Sequence, residues 1–378
     1  MTLEDLDIAG KKYFENFQMT EALQCYALAF IDNPELGMAY NNYGNILRAI
    51  GKPRVSYEFF KLAIKYGCDL APFNLAIAYL TAGDMEEGWQ QFEERWNFGH
   101  QIGTYPNKKQ PHWEGEDLKG KSILITCEQG DGDNLQFIRF VKELYEMGAK
   151  IYVETEPSLK RLYRASLSSD IEVSTNKENL ISPPDTDYWV SILSLPRILK
   201  INYNTLPLMY EYLTAGKETI EEWKNILPER SGKMRVGICW KGRTRSMPLD
   251  DIINLIEDNP QYEWINLCGS STNNEVQELK SIGVQTYFDK ITDWKDTAGL
   301  MEHIDIVVTV DTGLCHLAGA MSKPTLLMLN KYGTCWRWLL DKDTTQWYPS
   351  FRLIRQTDPH VWTDVLSKVE KYLALHKV

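Results

Sequence analysis

The chain contains 378 residues, of which 43% are hydrophobic and 25% are charged, and its formal net charge at pH 7 is −11. This length exceeds what a single hydrophobic core usually supports, so we expect two or three compact units. No segment approaches the roughly 18 consecutive apolar residues of a membrane-spanning helix, the chain start lacks the features of a secretory signal, and an acidic surface does not suit nucleic acid. We therefore expect a cytoplasmic protein without a membrane span, whose seven scattered cysteines are reduced thiols.

Residues 1–98 carry a repeated pattern of small and aromatic residues. Small residues let two helices approach closely, and an aromatic ring on the next helix covers the contact. The recurring positions, first spaced by 34 and then by 32 residues, are Gly10, Gly44 and Ala76, then Ala22, Ser56 and Gly88, then Tyr26, Phe60 and Phe92. The pattern resembles the tetratricopeptide repeat and predicts a helical array. An ordinary helical bundle is the alternative, and the pattern does not identify a protein partner for the array.

Residues 99–120 are rich in Gly, Pro and polar residues and have no helical period, so we predict a linker. Beyond it, short apolar segments alternate with helical ones. The first series runs through SILITC, NLQFIRFVKELYEMGA, KIYVET and PSLKRLYRAS, and the second through RVGICW, YEWINLCG, VQTYFD, IDIVVTV and PTLLML. Alternating buried strands and helices predict parallel sheets. We expect two Rossmann-like lobes, at 121–215 and 216–378, in the two-lobed α/β arrangement called GT-B.

The first series contains a glycine-rich turn, CEQGDGDNLQFIRF at residues 127–140, between a strand and a helix. Gly130 and Gly132 let the backbone turn sharply at the carboxyl end of the strand, where open α/β sheets bind ligands. The acidic residues beside them, Asp131 and Asp133, suit a catalytic base or a metal rather than a phosphate. Alternatively, Asp133 only caps the following helix and Asp131 is a solvated turn residue.

The second series contains a cationic loop, GICWKGRTRSMPLD at residues 237–250, directly after a strand. Lys241, Arg243 and Arg245 follow the carboxyl end of this strand, where cations can neutralise a leaving diphosphate. Three solvated loop charges are the alternative. Gly269 ends a later strand of the series and is a candidate for close approach to a nucleotide, although an ordinary strand-to-loop turn is equally consistent.

The most informative segment is VVTVDTGLCHLAGAMSKPTLLML at residues 307–329. A buried strand ends at Asp311, Thr312 and Gly313 form a turn, and a helix follows whose free N–H groups suit a phosphate. Asp311 or Thr312 could instead cap the helix. The sequence DTGLCHLAGA resembles the nucleotide-diphosphate motif of the heptosyltransferase family. This resemblance implies that both residues, with Gly313 and His316, line the donor site; a purely structural histidine is the alternative for His316.

The same resemblance gives roles to the earlier segments. It implies that Asp133 takes the proton of the acceptor hydroxyl, and it selects Arg245 first among the loop cations, although this loop is shorter than in related chains. The acceptor-side turn that it implies consists of Gln129, Gly130 and Gly132. The donor-side residues are Lys241, Arg243, Arg245, Ser246 and Gly269. The stretch TQWYPSFRLIRQ, residues 345–356, resembles bacterial tetratricopeptide–glycosyltransferase fusions, and we expect it to close its lobe by aromatic packing.

Together these features predict a glycosyltransferase that moves a sugar from a nucleotide-diphosphate sugar to an acceptor hydroxyl. The resemblance implies inversion at the sugar carbon, with neither a metal ion nor a cofactor. The residues identify neither the sugar, the nucleotide nor the acceptor, which could be a glycan, a protein or a modified nucleobase. Two alternatives stay open. One is a non-catalytic tetratricopeptide scaffold with a decayed transferase module, and the other is a phage-type DNA nucleobase glycosyltransferase, which the acidic charge disfavours.

Overall fold

The computed structural model describes residues 2–101, 108–181, 184–242 and 246–376, without the side chains of 98–101 and 181. Six helices at the start of the chain form most of one compact unit, and two parallel sheets with their helices form the other. The predicted linker at 99–120 lies partly outside these residues. Within them, no helix combines the length and the apolar character that crossing a membrane requires.

The helical unit is a series of helices in which each packs against the next. Its helices are α1 (Leu3–Glu15), α2 (Met19–Asp32), α3 (Gly37–Ala49), α4 (Pro53–Lys65), α5 (Ala71–Ala82) and α6 (Met85–Phe92). A Cβ atom placed on Gly10 would lie 2.8 Å from the ring of Tyr26, and one on Gly44 would lie 2.9 Å from the ring of Phe60. The small residues therefore recur because the aromatic rings of the next helix occupy that space. The predicted helical repeat architecture is confirmed.

Two segments from later in the chain complete the helical unit, namely Lys200–Leu206 and Asn330–Lys342. The indole N–H of Trp89 donates to the carbonyl of Ile201 at 3.0 Å. The ring of Trp89 also packs edge-on against Trp336, with ring centroids 5.2 Å apart. Both indoles are buried. The linear boundaries expected from the sequence do not include these two segments, because the contacts that place them join residues far apart in the chain.

The first sheet of the α/β unit has four parallel strands in the order β3-β2-β1-β4. The strands are β1 (Ser122–Thr126), β2 (Lys150–Thr155), β3 (Glu172–Thr175) and β4 (Tyr188–Ser191). Its helices are α7 (Asp131–Phe137), α8 (Val141–Glu146), α9 (Pro157–Ser166), α10 (Asn176–Ile181) and α11 (Leu195–Ile198). The chain starts in the centre of this sheet and moves to one edge, then crosses back to β4. Parallel strands need such helical crossovers.

The second sheet has six parallel strands in the order β10-β9-β8-β5-β6-β7. The strands are β5 (Arg235–Cys239), β6 (Glu263–Asn266), β7 (Gln285–Thr286), β8 (Ile306–Val310), β9 (Thr325–Leu329) and β10 (Phe351–Arg355). The associated helices are α12 (Lys217–Ile226), α13 (Leu249–Glu257), α14 (Asn273–Ser281), α15 (Trp294–Glu302), α16 (Gly313–Ala320) and α17 (Thr363–Leu375). Every residue of β5, β8 and β9 is buried, as expected for strands covered on both faces. The predicted pair of parallel α/β lobes is confirmed.

Helix α12 packs tightly on α15 of the second lobe. A Cβ atom on Gly299 would lie 2.3 Å from the indole of Trp223, and a ring nitrogen of His303 lies 2.8 Å from the carbonyl of Ile220. The charged segment between the two strand series therefore packs against the second lobe along the whole of α12.

Candidate active site

A cavity of about 580 Å³ lies where the carboxyl ends of the two sheets meet. Residues Gly130 to Gly132, which follow β1, line one side together with Ser158. The loops after β5, β6 and β8 line the other side. A larger cavity of about 830 Å³ lies along β3 and α9 inside the first lobe. We assign the site to the smaller cavity, because ligands of open α/β sheets bind at strand carboxyl ends.

Two glycines bring the two lobes into contact at this cavity. A Cβ atom on Gly132 would lie 3.0 Å from Cδ2 of His316 and 3.2 Å from Cα of Gly313. A Cβ atom on Gly313 would lie 3.1 Å from the ring of Trp294. The turn after β1 and the turn after β8 therefore touch so closely that a side chain at either glycine would be tightly packed against the other turn. This contact joins the predicted acceptor-side turn to the predicted donor-side turn.

The acidic turn places Asp131, rather than Asp133, on the cavity wall. Oδ2 of Asp131 accepts a hydrogen bond from the indole N–H of Trp294 at 2.7 Å and another from the hydroxyl of Ser158 at 3.1 Å. Asp133 lies in the first turn of α7, and its Oδ2 is 3.6 Å from where a Cβ of Gly130 would stand. The two carboxylates therefore lie on the same turn, and Trp294 links Asp131 to the second lobe.

The predicted residue Gln129 is exposed and does not line the cavity. Its backbone has a φ of 57°, in the left-handed region that non-glycine residues rarely adopt. The residue turns the chain between β1 and the glycines. Its role in the structure is to shape the turn.

A second link between the lobes lies beside the cavity. The guanidinium of Arg161 in α9 donates to Asp293 at 3.1 Å and to both carboxylate oxygens of Asp296 at 3.3 Å. Burial raises the pKa of Asp296, but hydrogen bonds from Thr292 and the neighbouring Arg161 outweigh it and hold the pKa below its ordinary value. The sequence offered no signal for this ion pair, because its partners are separated by more than one hundred residues.

The turn after β8 contains a buried hydroxyl, that of Thr312, for which the described part of the chain supplies no hydrogen-bond partner. Thr312 is the N-cap residue of α16, but its side chain makes no capping hydrogen bond. Its hydroxyl oxygen is buried and has no hydrogen-bond partner among the residues the structure describes. Thr312, Gly313 and Leu314 all line the cavity. The start of α16 therefore offers backbone N–H groups and a free hydroxyl to a ligand.

Asp311 and His316 lie behind this turn and are both buried. Nδ1 of His316 is 2.9 Å from the hydroxyl of Tyr348. One potential ligand atom each from Asp311, Cys315 and His316 lies within 4.8 Å of the others, so these three residues could together hold a metal ion. None of the three lines the cavity.

The cationic loop is described only in part, since Arg243 and Arg245 lie outside the described residues. Lys241 and Gly242 line the cavity. The ammonium of Lys241 forms an ion pair with Glu275, the residue that also closes the capping box of α14. Ser246 pairs with Lys241 through a single antiparallel bridge and is exposed. Lys241 is thus held at the cavity by Glu275.

Apolar residues also line the cavity. They are Leu267, Phe288 and Ile291, and the loop after β6 contributes Gly269 and Ser270. No Cβ contact within 4 Å restricts Gly269, so the loop is open at this point. Sequence reasoning found Gly269 but missed the three apolar residues, because isolated hydrophobic residues in loops carry no distinct pattern.

Two parallel-sheet lobes follow the helical repeat region and meet at the turn that contains Thr312. Residues 261–329, which include β6 to β9 and the turn at Thr312, match the family model of glycosyltransferase family 9 (heptosyltransferase). The predicted resemblance is therefore confirmed: the chain joins a helical repeat region to an α/β module that is similar to glycosyltransferases of this family.

Individual relatives are distant. Protein FlbA of Caulobacter vibrioides is 23% identical over 416 residues, covering 93% of this chain and 69% of FlbA. The structure of E. coli ADP-heptose LPS heptosyltransferase II superimposes with a TM-score of 0.50 at 13% identity, over 67% of this chain and 99% of that one. A family 9 glycosyltransferase from Veillonella parvula gives a TM-score of 0.50 at 9% identity, over 70% of this chain and 92% of that one. At these identities the two structures establish the fold alone.

Proposed function

We propose that this glycosyltransferase transfers a sugar from a nucleoside-diphosphate sugar to an acceptor hydroxyl, with inversion and without a metal ion. The observation that carries the proposal is the contact between Gly132 and Gly313, which brings an acidic turn and an anion-binding turn to one cavity. In the reaction, the acceptor oxygen attacks the anomeric carbon from the side opposite the diphosphate. The bond between that carbon and the phosphate oxygen breaks, and the acceptor proton passes to a carboxylate.

The residues around the cavity suit the diphosphate and the nucleobase of the donor at different places. The N–H groups at the start of α16 and the free hydroxyl of Thr312 suit the diphosphate, because developing negative charge is stabilised by prearranged donors. The apolar lining residues Leu267, Phe288 and Ile291 suit a nucleobase. Lys241 adds a positive charge nearby, and Arg243 and Arg245 remain proposed diphosphate ligands.

Asp133 is the proposed base, in line with the family resemblance of its Gly-Asp pair. Asp131 is the competing candidate, because it lines the cavity. The hydrogen bonds from Trp294 and Ser158 to Asp131 favour an orienting role for that carboxylate. We place the enzyme in the cytoplasm, which suits its seven free cysteines.

The first test is thermal unfolding of the protein with UDP, GDP, ADP, CMP and dTDP and their sugars, in EDTA. Selective stabilisation by one diphosphate identifies the donor, because a ligand that binds the folded state raises the melting temperature. No shift with millimolar ligand contradicts the donor site. A shift that appears only after Mg²⁺ or Zn²⁺ replaces EDTA contradicts metal independence.

The second test compares Asp133→Asn with Asp131→Asn once a donor is known. We expect Asp133→Asn to lower turnover roughly 10²- to 10⁴-fold, the range for loss of a general base, with donor affinity unchanged. Asp131→Asn should cost much less. The reverse ranking would assign the base to Asp131. Polarimetry or NMR of the first-formed product tests inversion.

A further inference from the structure

Two buried cysteines from neighbouring strands meet beside the cavity. Cys239 ends β5, and Cys268 follows the end of β6. The sulfur of Cys239 lies 3.6 Å from the carbonyl oxygen of Lys241, and the sulfur of Cys268 lies 3.5 Å from the same oxygen. The two thiols are also hydrogen-bonded to each other. The parallel pairing of β5 with β6 therefore brings together two thiols that are widely separated in the sequence.

One thiol of this pair borders the cavity, and the other lies behind it. Cys239 lines the cavity, whereas Cys268 is fully buried. The residues on either side of Cys268, Leu267 and Gly269, are lining residues too. So is Ser270, whose hydroxyl oxygen lies 3.4 Å from the sulfur of Cys268. A small reagent in the cavity therefore meets the thiol of Cys239 first, with the thiol of Cys268 next to it.

The contact between the two thiols favours the ionisation of one of them. The hydrogen bond from Cys239 lowers the pKa of the Cys268 thiol below its ordinary value. The same hydrogen bond, together with burial, raises the pKa of Cys239. Cys25 and Cys68 show the ordinary behaviour of buried cysteines, because burial raises the pKa of both. Since the thiolate is the reactive form of cysteine, the pair beside the cavity differs from these inert thiols.

We propose that Cys239 and Cys268 form a thiol–disulfide exchange site in the wall of the cavity, which reacts with small organic disulfides that enter it. Cys239 attacks one sulfur of the reagent while its proton passes to the Cys268 thiolate along their hydrogen bond. The S–S bond of the reagent breaks, and the departing thiolate takes this proton from Cys268. The Cys268 thiolate then attacks the sulfur of Cys239, forms the protein disulfide and expels the second half of the reagent as a thiolate.

The exchange balances without a further reactant. The protein gives up two electrons and becomes a disulfide, and the reagent takes them up and becomes two separate sulfur compounds. Disulfides inside cells are usually transient, because glutathione returns them to thiols. The site is therefore reversible in the compartment proposed for the protein. Its reactivity does not depend on the proposed function, but shielding of Cys239 by a bound nucleoside diphosphate rests on it.

The first test treats the reduced full chain with hydroxyethyl disulfide and maps the product by mass spectrometry. Trypsin separates the two cysteines, because it cuts after Arg235, Lys241 and Arg245. We expect the intact mass to fall by two hydrogen atoms and a cross-linked peptide pair to contain Cys239 and Cys268. Dithiothreitol should reverse both changes. Unreacted thiols at these two positions, or adducts on them without the cross-link, overturn the proposal.

A pair of variants tests the division of labour between the two thiols. In Cys268→Ser, the cross-link should be absent and the adduct on Cys239 should form at least about tenfold more slowly, because the thiolate that takes its proton is gone. Cys25→Ser is the matched control, since Cys25 is also buried but lies in α2. It should form the cross-link at the wild-type rate. Adduct formation on Cys239 at an unchanged rate in Cys268→Ser contradicts the proposed role of Cys268.

The second test measures the rate of cross-linking with whichever of UDP, GDP, ADP, CDP and dTDP binds the wild type. At about ten times its Kd, the ligand leaves roughly one protein molecule in eleven free, so cross-linking should slow about tenfold. An unchanged rate with bound diphosphate means that the reagent reaches Cys239 by another route, which overturns its placement in the cavity wall. If none of the five diphosphates binds, the proposed function fails, while the peptide map still decides for or against the exchange site.

Discussion

Among the residues that the structure describes, the buried hydroxyl of Thr312 has no hydrogen-bond partner, and an unsatisfied buried hydroxyl lowers the stability of the folded protein. Removing an unsatisfied buried polar group relieves its desolvation penalty. Thr312→Val keeps the branched shape, so we expect the free energy of unfolding to stay the same or rise by about 1 kcal/mol. Affinity for the nucleoside diphosphate should fall about fivefold to tenfold, as measured by calorimetry.

Thr309, three residues before Thr312 and within β8, offers a matched control. Its fully buried hydroxyl donates to the carbonyl of Val310 at 2.9 Å. Thr309→Val therefore loses a satisfied hydrogen bond and should be destabilised by about 1 kcal/mol. If Thr312→Val is destabilised to the same extent, the hydroxyl of Thr312 has a partner in the folded protein and is not reserved for a ligand.

The hydrogen bonds that Asp296 accepts from Thr292, together with its ion pair with Arg161, make the stability of the α/β unit depend on pH. Because the pKa of Asp296 in the folded protein is below the ordinary value of 3.8, the contribution is present above that pH and is lost as the pH falls through the lowered pKa. In urea titrations between pH 3 and 6, Asp296→Asn should therefore reduce the acid-dependent loss of stability. Parallel curves for the two proteins would contradict this prediction.

At the residue scale, the sequence predicted which residues form the site better than it predicted the contacts between them. Gly132, Thr312 and Gly313 were predicted and do line the cavity, because turns at strand carboxyl ends have a distinct glycine pattern. The bond from Trp294 to Asp131 joins residues 163 positions apart. No local pattern contains such a contact. For this reason, the sequence alone does not assign a specific role to Asp131.

Helices α7 and α16 meet through glycines, and the space between them is too small for an added methyl group without a local shift. Gly132→Ala would place its Cβ 3.0 Å from Cδ2 of His316 and 3.2 Å from the backbone of Gly313, so these neighbours must move by a few tenths of an ångström. We expect a loss of about 1 to 3 kcal/mol in the free energy of unfolding, the usual cost of overpacking. Chemical denaturation measures it.

Gly130→Ala is the control on the same turn. Its nearest neighbour would be Oδ2 of Asp133 at 3.6 Å, an ordinary van der Waals distance. This variant should unfold at nearly the wild-type denaturant concentration. Equal destabilisation of the two variants would mean that the turn itself, rather than the contact between the lobes, requires glycine.

At the element scale, the continuous apolar segments could be predicted as strands and the irregular segments could not. The segments SILITC and IDIVVTV were recognisable as strands because fully buried parallel strands are short continuous apolar runs, and they contain β1 and β8. Strand β10 was missed, since TQWYPSFRLIRQ begins with aromatic and turn residues that mask it. Arg139 was equally hidden, because a charged residue in a helix is expected on the surface and this one is buried under aromatic rings.

For the whole molecule, the helical unit depends on two internal segments of the α/β sequence, Lys200–Leu206 and Asn330–Lys342. A chain that lacks residues 1–98 loses Trp89, the partner of both Ile201 and Trp336. We expect this truncated chain to expose Trp336, to bind the dye ANS and to melt below the full chain. Light scattering and thermal unfolding test this. A truncated chain with the melting temperature of the full chain would show that these segments are stable alone.

Because Trp336 is translated long after Trp89, their contact also affects how the protein folds during synthesis on the ribosome. Trp89 and Trp336 are 247 positions apart, and at about 5 to 20 residues per second the second indole is made roughly 12 to 50 s after the first. During that interval the indole of Trp89 cannot be covered by the partner it has in the finished protein. The part of the protein that is translated first is therefore among the last to complete its fold.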